Sequence, residues 1–178
     1  MRVAALYDIH GNYPALQAVL HHLEKEKPDL IVIGGDIVSG PMPLQTLERL
    51  FRIETEVRFI RGNCDREVVT AYDGRPLRPD MSEAGRATTE WVAKQLQPSH
   101  RHFLSQLPLT YTHSLDGHGD VLFCHATPHS DEEIFTPLTP KETLMTLFHG
   151  VGEKTVICGH THIQFAHRIG ETLILNSG

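Results

Sequence analysis

Short apolar runs alternate with amphipathic stretches through the first third of the chain. Val3 to Tyr7, Leu30 to Ile33 and Val57 to Ile60 each lead into a Gly-rich or polar turn, and apolar runs this short, bounded by turn residues, read as buried strands. Between the first two, Leu16, Val19, Leu20 and Leu23 recur at helical spacing, with Asn12 placed to cap the helix and Pro14 tolerated in its first turn. Leu44, Leu47, Leu50 and Phe51 repeat that spacing before the third run. The segment therefore reads βαβαβ. Right-handed crossovers turn that order into a parallel sheet whose strand ends all face one way.

From Tyr72 to Leu107 the pattern becomes helical, interrupted by Pro76, Pro79 and Pro98. Ala84, Ala87 and Trp91 share one helix face and Phe103, Leu104 and Leu107 another, so the segment reads as a helical insertion or cap. Leu109 to Thr112 and Val121 to Cys124 flank a loop containing Asp116-Gly117, a hairpin signal with a long connection. Thr139-Pro140-Lys141-Glu142 reads as a capping box with proline at the first helical position, opening a helix that Gly150 closes. Strands near Thr155 to Cys158 and Thr172 to Leu175 follow. No repeat or linker divides the chain, so one domain is expected over residues 1–178.

Composition narrows the function classes. No apolar run approaches the roughly 18 residues of a membrane span, and the start lacks the apolar stretch of a signal peptide, which predicts a cytoplasmic protein without a membrane partner. Cys64, Cys124 and Cys158 are odd in number and widely spaced, so reduced thiols are expected rather than a disulfide framework. A net charge of -6 argues against an extended nucleic-acid surface, yet leaves room for a small phosphorylated substrate. Thirteen histidines are the anomaly, because imidazole is the commonest metal ligand.

The polar residues gather where strands are expected to end: Asp8-Ile9-His10, Gly34-Gly35-Asp36, Gly62-Asn63-Cys64-Asp65, Cys124-His125 and Gly159-His160-Thr161-His162. Open α/β sheets bind ligands at those ends, so the five loops can converge. If the backbone stays extended, residues i and i+2 point the same way, and Asp8 with His10, or His160 with His162, would each offer two ligands to one centre. Two carboxylates, four imidazoles and an amide suit Mn, Fe, Co, Ni or Zn better than Ca.

The order Asp-x-His, Gly-Asp, Gly-Asn-x-Asp, His, Gly-His-Thr-His resembles the calcineurin-like metallophosphoesterase superfamily, including small prokaryotic phosphodiesterases that carry Gly-Asn-Cys-Asp. The resemblance implies an α/β fold of two mixed sheets packed as a sandwich between helices. It implies two divalent cations, with manganese favoured and iron, zinc, nickel or cobalt as alternatives. By the same resemblance Asp8, His10 and His162 bind one ion, Asn63, His125 and His160 bind the other, and Asp36 bridges them. Asp36, Asn63, Cys64 and Asp65 become the catalytic group, and a hydroxide between the ions would attack a small phosphate ester.

Many relatives carry a leaving-group histidine where this chain has Cys64. A general acid is worth roughly 10²–10⁴ in rate, so its absence favours esters with good leaving groups and a phosphodiesterase reading. Phosphomonoesters, nucleotides and phosphoproteins are rival substrates. A non-catalytic protein-binding scaffold, a role known in a trafficking-complex subunit of the family, is the alternative of another class. Because ligand imidazoles must be neutral, activity should fall below about pH 6.

Further positions carry two readings each. Asp65 either orients a site group or caps a helix, and Cys64 either serves the chemistry or fills space beside it. His129 and Asp131 either reach the substrate or lie in a solvated loop. Cys124 and Cys158 are expected to be buried in strands, and the remaining histidines, His118 and His167 among them, to be solvated. Family members continue past a Gly-rich turn into closing strands, whereas this sequence stops at Asn176-Ser177-Gly178, which leaves a sheet edge expected to be unpaired.

Overall fold

A computed structural model describes residues 1–178 except Asp116 and His118. The Asp116 half of the hairpin signal and the expectation for His118 therefore lie outside the described residues. The first third folds as β1 (Val3–Leu6), α1 (Tyr13–Glu26), β2 (Leu30–Ile33), α2 (Pro43–Phe51), β3 (Glu56–Phe59) and α3 (Asn63–Tyr72). Its strands form a parallel sheet in the order β1-β2-β3. Asn12 caps α1 as expected, its side-chain oxygen accepting from the Ala15 N–H at 3.2 Å. No helix among the described residues is long and apolar enough to cross a membrane.

Helices α4 (Glu83–Gln95) and α5 (Pro98–Ser105) follow, then β4 (Thr110–Leu115), β5 (Gly119–Cys124), α6 (Lys141–Leu147), β6 (Thr155–Cys158), β7 (Gln164–Ile169) and β8 (Thr172–Ser177). The second sheet is mixed, in the order β4-β5-β6-β8-β7, with β5, β6 and β8 parallel and an antiparallel partner at each edge.

Strand alternation decides what each sheet faces. Val3, Ala5, Leu30 and Val32 point toward Val121, Phe123 and Ile157 of the second sheet and form the layer between the sheets. The alternate residues Ala4, Leu6, Ile31 and Ile33 face the helices, where Leu16, Leu47, Val68, Val92 and Leu104 cover them. Leu122, Cys124, Val156 and Cys158 bury the outer face of the second sheet against Phe135, Leu144 and Phe148. The order is helices, sheet, sheet, helix. β2 is buried on both faces, which is why its sequence is a continuous apolar run.

The segment from Tyr72 to Leu107 is not detached from this core. Thr89, Val92 and Ala93 of α4 are buried, so Ala84, Ala87 and Trp91 form the outward face, with Trp91 45% exposed. At α6 the expected capping box does not form. Thr139 Oγ1 instead accepts from the Thr136 N–H at 2.8 Å, and the helix starts without a side-chain cap. Strand β7 escaped the sequence reading. Its signal was the alternation of half-buried Phe165, His167 and Ile169 before the turn at Gly170, whose φ is +57°. Because β7 pairs with β8, the last strand is flanked on both sides and the sheet edges are β4 and β7.

Candidate metal centre

Each sequence-predicted ligand follows the carboxyl end of a strand: Asp8 and His10 after β1, Asp36 after β2, Asn63 after β3, His125 after β5, and His160 and His162 after β6. The backbone there is not extended. Asp8, His10, Asp36, His160 and His162 have φ between +47° and +71°, the left-handed region that non-glycine residues enter at a cost of about 1–2 kcal/mol. The extended i, i+2 geometry therefore fails, and the consequence shows at the last pair. His162 joins Asp8 and His10, whereas His160 joins Asp36 and His125, each group having ligand atoms within 4.8 Å of one another.

The distances describe two adjoining cages. His162 Nε2 lies 3.3 Å from Asp8 Oδ1 and 3.2 Å from His10 Nε2. Asp36 Oδ2 sits 3.6 Å from His10 Nε2 and 3.5 Å from His125 Nε2, so one carboxylate oxygen faces both cages. The opposite oxygens are fixed by the backbone: Asp8 Oδ2 accepts from the His160 N–H at 2.8 Å and Asp36 Oδ1 from the Cys64 N–H at 2.9 Å. Carbonyls orient the rings through their far nitrogens. Ser39 O lies 3.2 Å from His10 Nδ1, Gly34 O 2.8 Å from His125 Nδ1 and Glu132 O 3.2 Å from His160 Nε2. An imidazole nitrogen facing a carbonyl carries the proton, which leaves the other nitrogen's lone pair for the centre.

Whether these residues suit cations is tested by their unsatisfied atoms. Among the described residues, five side-chain atoms are buried without a hydrogen-bond partner: Thr46 Oγ1 and Glu67 Oε1 lie outside the site, and Asp8 Oδ1, Asn63 Oδ1 and His125 Nε2 belong to the expected ligands. An unpaired buried polar atom costs on the order of 1–3 kcal/mol, and a cation would satisfy these three. The donors fit divalent metal. Without a cation, burial disfavours the charged His125 ring, yet Asp36 and Asp8 beside it hold its pKa up to about 9. Asp36 is correspondingly driven well below the usual carboxylate range: burial opposes this, but His125 and His10 override it. A cation must displace a proton from this cluster, the usual linkage between metal and hydrogen ion.

Cys64 lies beside the cages, its thiol grouped with His10 and Asp36. Burial and the Asp36 charge push that thiol far up, so it is neutral. Asp65 is spent on backbone: Oδ1 accepts from the Ile37 and Val38 N–H groups at 2.9 and 3.4 Å, Oδ2 from the Gly62 N–H at 3.2 Å. It ties the Asp36 loop to the start of α3. Close packing explains the glycines: a Cβ on Gly62 would lie 2.1 Å from Asp36 Oδ1, and one on Gly34 2.1 Å from the Tyr7 ring.

Asp131 does not face the cages but pairs with Arg61 and Arg66, and His129 donates toward the His149 carbonyl at 2.9 Å. Sequence reasoning missed Asn176, whose buried side-chain amide donates to Gly159 O at 2.7 Å and so braces the His160 loop. Its only sequence signal was an amide at the end of an apolar strand.

A two-sheet α/β scaffold that collects carboxylates, imidazoles and an amide at one end is the architecture of a phosphoester hydrolase. The profile of the calcineurin-like phosphoesterase superfamily domain matches residues 1–178, and the chain belongs to that superfamily. It is 34% identical over 77 residues to the phosphodiesterase YfcE of Escherichia coli K12, a match spanning 38% of this chain and 42% of that one. A metallophosphoesterase from Sphaerobacter thermophilus superposes with a TM-score of 0.73 at 25% identity, covering all of this chain and 76% of the other. A protein from Pyrococcus horikoshii superposes at 0.85 with 19% identity, over 99% of this chain and 76% of its own.

Proposed function

We propose that this protein hydrolyses small phosphate esters with two divalent cations, phosphodiesters being the favoured substrates. The observation that carries the reading is that two buried atoms without a hydrogen-bond partner, Asp8 Oδ1 and His125 Nε2, lie 3.9 Å apart, with His125 Nε2 3.5 Å from Asp36 Oδ2. Asp8, His10 and His162 would hold one ion, Asn63, His125 and His160 the other, and Asp36 both. Manganese is favoured, and the same donors accept iron, zinc, nickel or cobalt. Such a pair, when bound, supplies a water nucleophile deprotonated near neutral pH and positive charge against the phosphate.

The chain's own residues do the rest. Backbone N–H groups of His160 and Cys64 lock the two carboxylates, so the donor atoms need not reorganise. Cys64 stands where many relatives carry a leaving-group histidine, so no imidazole at that position protonates an alkoxide, which favours esters that leave as stable anions. Beside the His10 loop a cleft of about 610 Å³ is lined by Gly40, Pro41, Ala87, Thr88 and Trp91. Gly40 packs so tightly on the His10 carbonyl that a Cβ would overlap it, which places the cleft next to the ligands. We assign it to the organic group of the ester, and this accounts for the outward apolar face of α4.

A side-by-side assay of bis-p-nitrophenyl phosphate and p-nitrophenyl phosphate with added manganese tests the proposal. Faster turnover of the diester supports it, faster turnover of the monoester makes the protein a phosphomonoesterase, and hydrolysis of neither favours a non-catalytic scaffold. The same reading takes the chain as one phosphoesterase domain of the cytoplasm.

A further inference from the structure

Beyond the ligands lies a cluster of ions that the chemistry does not use. Arg61, just before the Gly62-Asn63 turn, donates Nε to Asp131 Oδ2 at 2.8 Å. Arg66, one turn into α3, donates Nε and Nη2 to the same carboxylate at 2.9–3.2 Å and Nη2 to the Glu132 side chain at 2.6 Å. Asp131 is 5% exposed. Burial alone would raise its pKa, but the Arg66 and Arg61 guanidiniums hold it below the usual carboxylate range. Bidentate, partly buried pairs of this kind fix geometry in a way that exposed pairs do not.

The cluster touches every element of the Asn63–His125–His160 cage. Arg66 belongs to the helix that opens with Asn63. Asp131 ends the loop that begins at His125, a loop folded on itself by Thr127 N–H donating to Ser130 O at 2.9 Å. The next carbonyl along, Glu132 O, receives the His160 Nε2 proton. The Asp8–His10–His162 cage meets the cluster's loops through the His160 backbone N–H that Asp8 Oδ2 accepts, while its rings are set by Ser39 O and by one another.

We propose that Asp131 is a positioning residue for the second ion alone: clamped by Arg61 and Arg66, it fixes the Glu132 carbonyl that holds His160 in the tautomer with Nδ1 free for metal. The inference rests on the two-ion reading for its metal readout, and on the metal-free protein for its second one. Groups that orient metal ligands typically change affinity 10–100-fold when removed.

The test uses the full chain with Asp131→Asn and Arg66→Gln, and Arg66→Lys as the conservative variant. Manganese binding is followed by calorimetry, and the His160 ring nitrogens by ¹⁵N NMR in chelator. In wild type we expect two binding steps and a single Nε2–H tautomer. Asp131→Asn and Arg66→Gln should weaken one step about 10–100-fold, spare the other, and give mixed His160 tautomers, with Arg66→Lys recovering most of both.

Unchanged steps and tautomer in the first two variants would overturn the inference, as would equal weakening of both steps. If wild type binds fewer than two ions, the functional proposal fails instead, and the metal-free tautomer still decides the role of Asp131: mixed in the variants supports it, unchanged refutes it. If Asp131→Asn does not fold, Arg66→Gln carries the same comparison.

Discussion

The left-handed backbone at the ligands predicts that the site is held at the expense of stability, and His162 is where this can be isolated. Its φ is +53° and its side chain is 58% exposed, so truncation removes little packing. Replacing it with alanine deletes the imidazole but keeps a Cβ, and with it the steric penalty of about 1–2 kcal/mol. Glycine removes that penalty and adds about 0.5–1 kcal/mol of unfolded-state freedom. The difference leaves His162→Gly more stable than His162→Ala by about 0–1.5 kcal/mol, or up to roughly 6 °C in Tm for a chain of this size. Urea denaturation of both variants in chelator measures it, with no metal to mask the backbone term. A glycine variant less stable than the alanine variant would refute the strained geometry, and with it the explanation of how His160 and His162 part toward different cages.

Other consequences are open to direct measurement. Gly62→Ala should cost about 1–3 kcal/mol by overpacking and lose manganese affinity, because its Cβ meets Asp36 Oδ1 at 2.1 Å; Gly150→Ala, at φ +75° with open space around it, should cost about 1 kcal/mol and leave metal uptake unchanged. Trp91→Ala should raise KM for the aryl diester several-fold without altering the manganese stoichiometry, and an unchanged KM would remove the cleft from substrate binding. Since Asp131 has a depressed folded pKa, its contribution to stability is present above the unfolded value of about 3.9 and is lost as pH falls below it. The stability gap between wild type and Asp131→Asn, measured by urea titration, should accordingly be full at pH 6 and shrink below pH 4; a gap that widened on acidification would contradict the pairing. Cys64→His should speed alkyl esters more than aryl esters, as read from kcat on matched substrates, if the missing acid limits poor leaving groups.

What the sequence made legible was whatever has a short-range period or a local motif. β2 was bounded to the residue by its apolar run, and Asn12 capped α1 as its chemistry demands. Asp8, His10, Asp36, His125, His160 and His162 gather at one end because each follows a parallel strand, and parallel strands deliver their ends to one side. The misses share a physical cause, which is that they depend on partners distant in sequence. The exposed side of α4 depends on where the first sheet lies, and β7 exists as a strand because β8 returns beside it. Asp8 and His10 do share one group as expected, but His160 and His162 part, since a strand's period stops where its ladder stops, at Leu6 and Cys158, and these residues begin after that point. Thr139 was a sound cap candidate that the adjoining turn captured first. The carbonyls of Ser39, Gly34 and Glu132 that orient the rings carry no side-chain signature at all, so only the fold reveals them.

If seven side chains close around two adjacent cations, electron paramagnetic resonance of the protein titrated with manganese will show it. At two equivalents per chain the expected result is a spin-coupled spectrum from ions about 3.5–4 Å apart. A spectrum of isolated six-line manganese at every loading, or saturation at a single ion, would contradict it.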